Sequence, residues 1–157
     1  MDEVIEKYQL LHQRKAQKNH QKNIATKRIP NLRDAVSTDR SKCRLYIVEG
    51  LSAASNLTEV RDPMTMGSYP LGGKINATWT KSVTEVLAMD KLSGLLSAIG
   101  IVPGQPLNVN QLRYGKLIIS TDSDPDGSDI FAIVTSLLYK FWPALFDPQK
   151  PYVYRLL

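Results

Sequence analysis

The segment Leu117-Ile118-Ile119-Ser120-Thr121 runs without a break into Asp122-Ser123-Asp124-Pro125-Asp126-Gly127, and this junction restricts the fold more tightly than anything else in the chain. An apolar, β-branched run is a strand. One that stops at aspartates on alternate positions, with a helix to follow, matches the edge at which open α/β sheets bind ligands. Three ionised carboxylates in so short a span repel one another, and a divalent cation relieves that repulsion. A calcium loop of the EF-hand kind shares the aspartate spacing and the glycine. It requires a glutamate where this chain has Ile133, and a helix rather than a strand in front.

The remaining pattern supplies the rest of such a sheet. Arg44–Val48 reads as a strand that meets Glu49-Gly50-Leu51-Ser52-Ala53-Ala54, whose small residues permit a tight turn into a helix over Ser52–Val60. Met66–Leu71 reads as a second strand, Val83–Met89 and Leu92–Ile99 as helices, and Gly100–Asn110 as a loop. Lys116–Thr121 is the third strand, Ser128–Phe141 a helix and Tyr152–Leu157 the start of a fourth strand. Strands alternating with helices predict a mostly parallel α/β sheet flanked by helices. Ahead of it, residues 2–16 predict a helix with Val4, Ile5, Tyr8 and Leu11 on one stripe, and Asn19–Ser41 reads as a polar, basic linker. The division is an arm over 1–41 and a domain over 42–157, open to truncation at its carboxyl end.

Two strands thus end in acids, Val48 before Glu49 and Thr121 before Asp122. If these strands are neighbours, Glu49, Asp122, Asp124 and Asp126 converge on one rim as hard oxygen ligands. Magnesium suits such a set, because it takes few protein carboxylates and leaves room for phosphate oxygens, whereas zinc and redox metals want Cys or His clusters. A metal there turns an acidic rim toward phosphodiester chemistry. Lys74, behind two glycines, offers a cation for a neighbouring phosphate.

Charge placement adds to this. Residues 1–42 hold ten Lys or Arg against five Asp or Glu, while the rest of the chain balances ten against ten, so the whole net charge of +5 lies in these first 42 residues. Between Leu11 and Pro30 stand Arg14, Lys15, Lys18, Lys22, Lys27 and Arg28 with no acid, a composition that suits a polyanion or a solvated linker. The single Cys43 excludes an internal disulfide and reads as a small buried hydrophobe. No apolar run reaches bilayer length and no signal-peptide pattern opens the chain. A soluble protein with no membrane partner is expected, in the cytoplasm of a bacterium or infected host cell, or in the nucleus of a eukaryote.

Glu49-Gly-Leu-Ser-Ala and Asp122-Ser-Asp124-Pro-Asp126-Gly together resemble the two signature motifs of the Toprim domain, and within that group the chain is similar to type IIA DNA topoisomerases. Pro70-Leu71-Gly72-Gly73-Lys74 is similar to that family's Pro-Leu-Arg-Gly-Lys, and Leu112-Arg113-Tyr114-Gly115-Lys116 resembles the segment before the aspartates in its eukaryotic and phage branches. Phe141-Trp142-Pro143 and Ile29-Pro30-Asn31-Leu32 fit the end of the following helix and the upstream linker, with a spacing most like the large tailed-phage enzymes. The resemblance implies a Rossmann-like Toprim fold and a magnesium-binding module that assists double-strand DNA cleavage and religation. It implies Glu49 as metal ligand and proton-exchanging acid, Asp122 and Asp124 as main ligands, and Asp126 as a weaker one. Lys74 and Asn76 would contact DNA. Partners implied are double-stranded DNA, an ATPase domain and a winged helix bearing the tyrosine nucleophile, in a two-fold, ATP-dependent assembly.

Departures from the family pattern predict altered metal or DNA affinity. Leu51 stands where the family has Asp, Gly72 where it has Arg, and Asp129 where it has His. Ala77 occupies the place of a DNA-contacting asparagine, with Asn76 one position early. Of the seven tyrosines, Tyr46, Tyr69, Tyr139, Tyr152 and Tyr154 fall in predicted strands or helices where packing accounts for them, and neither Tyr8 nor Tyr114 has the setting of a nucleophile. Two further readings are a Toprim nuclease using metal-bound water and a non-catalytic DNA-binding or scaffolding module.

Overall fold

The computed structural model describes residues 2–26, 29–72, 75, 78, 80–121 and 125–156, and the side chains of 25, 26 and 125–129 fall outside the described set. Four strands, β1 (Arg44–Val48), β2 (Met66–Pro70), β3 (Lys116–Ser120) and β4 (Val153–Leu156), form one sheet in the order β2-β1-β3-β4. Every pairing is parallel. Parallel neighbours need crossovers, which are α2 (Leu51–Val60), then α3 (Val83–Ala88) with α4 (Asp90–Ile99), then α5 (Pro125–Phe141). The predicted strands and helices are therefore present, most with ends moved by one or two residues.

β1 and β3 alternate as strands with one face in the core should. Leu45, Ile47, Leu117 and Ile119 are buried, while Tyr46 and Ile118 between them are half-buried. Each fully buried aliphatic side chain contributes roughly 1.5–3 kcal/mol. Leu92, Leu95, Leu96 and Ile99 of α4, Leu137 and Leu138 of α5, and Trp142 complete that core. Cys43 is fully buried at the start of β1, as the small hydrophobe expected of it. α4 ends at Gly100, whose φ of +90 and whose approach to the Gln111 carbonyl leave no place for a Cβ.

The arm differs from its sequence reading. Helix α1 runs over Asp2–Thr26, so the stretch from Asn19, expected as linker, continues the helix. Val4, Ile5, Tyr8 and Leu11 are exposed, and the packing face lies further on, at Gln17, His20 and Ile24 against α3 and α4. Polar residues do this packing. Gln17 Nε2 donates to the Pro103 carbonyl at 2.8 Å, and His20 Nε2 meets the Ile101 carbonyl at 2.9 Å with Ser97 Oγ at 3.4 Å from Nδ1. Burial pushes the His20 imidazole down, against the raising effect of the Ile101 carbonyl. The neutral ring then carries its proton on Nε2, the nitrogen that faces an acceptor.

The segment after Ile29 also docks rather than hangs free. Arg33 forms an antiparallel bridge with Ser68, with hydrogen bonds of 3.0 and 2.9 Å, and Val36 and Ser37 donate to the carbonyls of Pro63 and Met64. This covers the outer edge of β2, whose unpaired backbone groups would otherwise face solvent. Asp34 then ties the segment to the approach of β3. Its carboxylate accepts from Arg40 Nη2 and Arg113 Nη2, each at 2.7 Å, and from the Tyr114 hydroxyl. Arg40 continues the network by donating through Nε to the Arg113 carbonyl at 2.7 Å.

Candidate metal and DNA site

The order β2-β1-β3-β4 contains one reversal. From β1 the chain crosses outward to β2, then returns to the other side of β1 with β3. Ligands of open α/β sheets bind outside the carboxyl ends of the strands at such a switch point. Here that point is the gap between the ends of β1 and β3. Val48 pairs with Ser120, so the next residues, Glu49 and Thr121, leave the sheet at the same level.

Glu49 is half-buried at this rim, and its carbonyl accepts from the Gly72 amide at 2.6 Å, while Val48 accepts from Leu71 at 2.9 Å. These bonds fasten the exit of β2 beside the exit of β1. The turn that follows Glu49 is formed by Gly50, which caps α2 in an extended conformation and accepts from the Ala54 amide at 3.1 Å. Leu51, in place of the family's acid, is 66% exposed on the first turn of α2, so it fills no core position. At Gly72, φ is +59, a left-handed conformation that glycine adopts without strain.

Asp122, Asp124, Lys74 and Asn76, together with Ala77, lie outside the described residues. Asp126 and Asp129 lie within α5, which starts at Pro125 rather than at Ser128, and their side chains belong to the undescribed set. The earlier start has a local cause. Proline at the first helical position loses no intrahelical hydrogen bond and has φ already set for the helix. Asp126 is thus on the first turn of a helix instead of in a loop. Among the described residues no group of three or more His, Cys, Asp or Glu is gathered for a metal, Glu49 being the one member of the expected set whose side chain is described.

The described part of the rim suits a hard cation. Thr121 Oγ1, directly after β3 and level with Glu49, is buried with no hydrogen-bond partner among the described residues. A buried oxygen without a partner is costly, and the side-chain oxygens of Glu49 and Thr121 are the donor type magnesium takes. The softer alternatives stand elsewhere: Cys43 at the opposite end of β1, His20 on the packed side of α1, and His12 on α1 against Tyr8. Composition and motif do not single out Thr121; its position between the strand and the aspartates is the one signal the sequence holds for it.

The tyrosines divide by environment. Tyr69 is buried, donates to the Lys91 carbonyl at 2.9 Å, and has its hydroxyl pushed up to about 12 by burial and by Asp90. Burial and the Asp34 hydrogen bond push Tyr114 up as well. Both hydroxyls remain protonated at neutral pH and are occupied as donors. Tyr139 and Tyr154 are 56% and 39% exposed, more than packing in their helix and strand predicts; each ring has a neighbour, Phe146 and Lys116 respectively.

This sheet and its rim have relatives among known proteins. The Toprim domain family matches residues 44–152. Over 122 residues the chain is 37% identical to a subunit of the type 2 topoisomerase of Aquifex aeolicus, covering 78% of this chain and 15% of that protein. It is 38% identical over 122 residues to a subunit of DNA topoisomerase 4 of Escherichia coli, covering 78% of this chain and 19% of the relative. In structure it is similar to the DNA-binding, cleavage and re-ligation domain of Plasmodium falciparum topoisomerase II, with a TM-score of 0.73 and 29% identity over 83% of this chain and 19% of that one. The chain therefore spans less than a fifth of the length of these relatives.

Proposed function

Since the chain belongs to the Toprim domain family, in the group carried by type IIA topoisomerases, we propose that it is the magnesium-binding module of a DNA breakage-and-rejoining enzyme. The observation that carries this reading is the in-register pairing of β1 with β3, which brings the residue before Glu49 level with Ser120, two residues before Asp122. Glu49 then supplies a carboxylate from one strand end, and Asp122 and Asp124 supply carboxylates from the other, with Asp126 a weaker ligand. Magnesium held by this set supplies Lewis-acid stabilisation of charge on phosphodiester oxygens. Glu49, beside the scissile phosphate, exchanges a proton with the leaving 3′ oxygen, and Lys74 and Asn76 hold the adjacent DNA backbone.

Breaking the backbone requires a nucleophile, which in this reading is a tyrosine on another domain or chain of a two-fold, ATP-dependent assembly. The domain proper occupies 42–157 and the arm 1–41. The work is intracellular, wherever the DNA substrate lies.

Titration calorimetry with magnesium chloride tests the site. Binding is expected near millimolar concentrations or tighter, weakened at least tenfold in Glu49→Gln and lost in the combined Asp122→Asn and Asp124→Asn variant. Equal heats in the parent chain and both variants would refute the assignment.

A further inference from the structure

Helix α1 carries a feature that the magnesium rim does not use. At about 100° per residue, Lys7, Arg14, Lys15, Lys18 and Lys22 fall within an arc of about 100° on one side of the helix. The packing residues Gln17, His20 and Ile24 centre about 140° away by the same reckoning. All five basic residues are exposed, and none forms an ion pair with a described residue. Asp2, Glu3 and Glu6, the acids of α1, fall outside the arc.

We propose that this face is a DNA contact separate from the carboxylate rim, binding the phosphate backbone without sequence preference. The stretch from Arg14 to Lys22, clear of the exposed apolar residues that stop at Leu11, extends about 12 Å, comparable with three or four base-pair steps of a duplex. The docking of Gln17, His20 and Ile24 fixes the helix, so the cations are presented without the cost of ordering a loose segment. Charge complementarity alone also fits an anionic membrane surface. A helix lying in such a surface needs an apolar face to bury, and from Arg14 to Asn23 the exposed residues are Arg14, Lys15, Lys18, Asn19, Lys22 and Asn23. The exposed apolar side chains of α1 stop at Leu11. DNA is therefore the favoured polyanion.

The test uses the full chain and a short labelled duplex in EDTA, followed by fluorescence anisotropy between roughly 50 and 200 mM salt. Combining Lys15→Gln, Lys18→Gln and Lys22→Gln is expected to reduce the slope of log affinity against log salt by about 2 to 3, and to weaken binding on the order of a hundredfold near 0.1 M. The corresponding Arg variant keeps the parent slope, and so does Lys150→Gln, which removes an exposed lysine far along the chain. Circular dichroism confirms equal helix content, since glutamine and lysine have similar helix propensity. An unchanged slope in the triple variant, an equal loss in Lys150→Gln, no duplex binding by the parent chain, or preference for phosphatidylserine vesicles over the duplex would each overturn the proposal. Because chelator removes the metal, failure of this face and failure of the magnesium reading give separate results.

Discussion

Glu49→Gln is expected to lower magnesium-dependent DNA cleavage on the order of a thousandfold when the chain is assayed with the tyrosine-bearing partner that the proposed function calls for. Glutamine keeps the size of glutamate and its place between β1 and α2, so the sheet and the Gly72-to-Glu49 backbone bond remain. What is removed is the negative charge proposed to hold a divalent cation and the basicity proposed for the proton exchange. Asp122→Asn removes a charge from the neighbouring strand end and produces a loss of similar size. Residues that act as one unit are strongly non-additive, so the double variant is hardly worse than either single one. Gel analysis of protein-linked ends, with a melting curve for each variant, distinguishes lost chemistry from lost folding. Cleavage at the parent level in both single variants contradicts the assignment, and free rather than protein-linked ends would favour a nuclease.

Removing the Asp34 carboxylate is expected to have the second-largest effect, this time on stability. Asp34→Ala leaves Arg40 and Arg113 without their shared acceptor and the Tyr114 hydroxyl without its own. The Arg113 side chain is only 11% exposed, so its charge stays largely out of water with no ion pair left among the described residues. Losing buried charge-assisted bonds costs several kcal/mol. Asp34 itself is 36% exposed and solvent screens part of the interaction, which brings the expected loss to about 2 kcal/mol. Urea denaturation reads this as a lower midpoint at unchanged slope.

The same network sets a pH dependence. Burial pushes the Asp34 carboxyl up, but hydrogen bonds from Tyr114, Arg40 and Arg113 outweigh it and hold the group below its ordinary value. A depressed carboxyl contributes stability that is complete above the unfolded value of about 3.9 and is lost as pH falls through the lower folded value. The gap in stability between the parent chain and Asp34→Asn should therefore be level at neutral pH and close below about pH 4. A gap that persists unchanged into acid, or a variant as stable as the parent at pH 7, contradicts the account.

Much of this fold was legible because its signals are local. The run from Leu117 to Thr121 and its partner Arg44–Val48 announce themselves by composition, and each is followed by an acid. Helix α1 beyond Asn19 was not legible, because its packing positions are held by Gln17 and His20, which satisfy themselves on the carbonyls of Pro103 and Ile101. An apolar stripe is what periodicity detects, and this interface has Ile24 as its main aliphatic member. Asp34 was equally silent. Its partners Arg113 and Tyr114 lie far along the chain, and no local pattern predicts that meeting. The strand order, which makes the β1–β3 gap the switch point, likewise depends on which side of β1 each crossover takes.

Anomalous diffraction from crystals of the chain soaked in manganese decides whether the acid after β1 and the aspartates after β3 share one cation. A single strong peak is expected, with carboxylate oxygens of both Glu49 and Asp122 within about 2.2 Å. A peak ligated by the aspartates with Glu49 turned away, or no peak at this rim in crystals that bind manganese elsewhere, would contradict it.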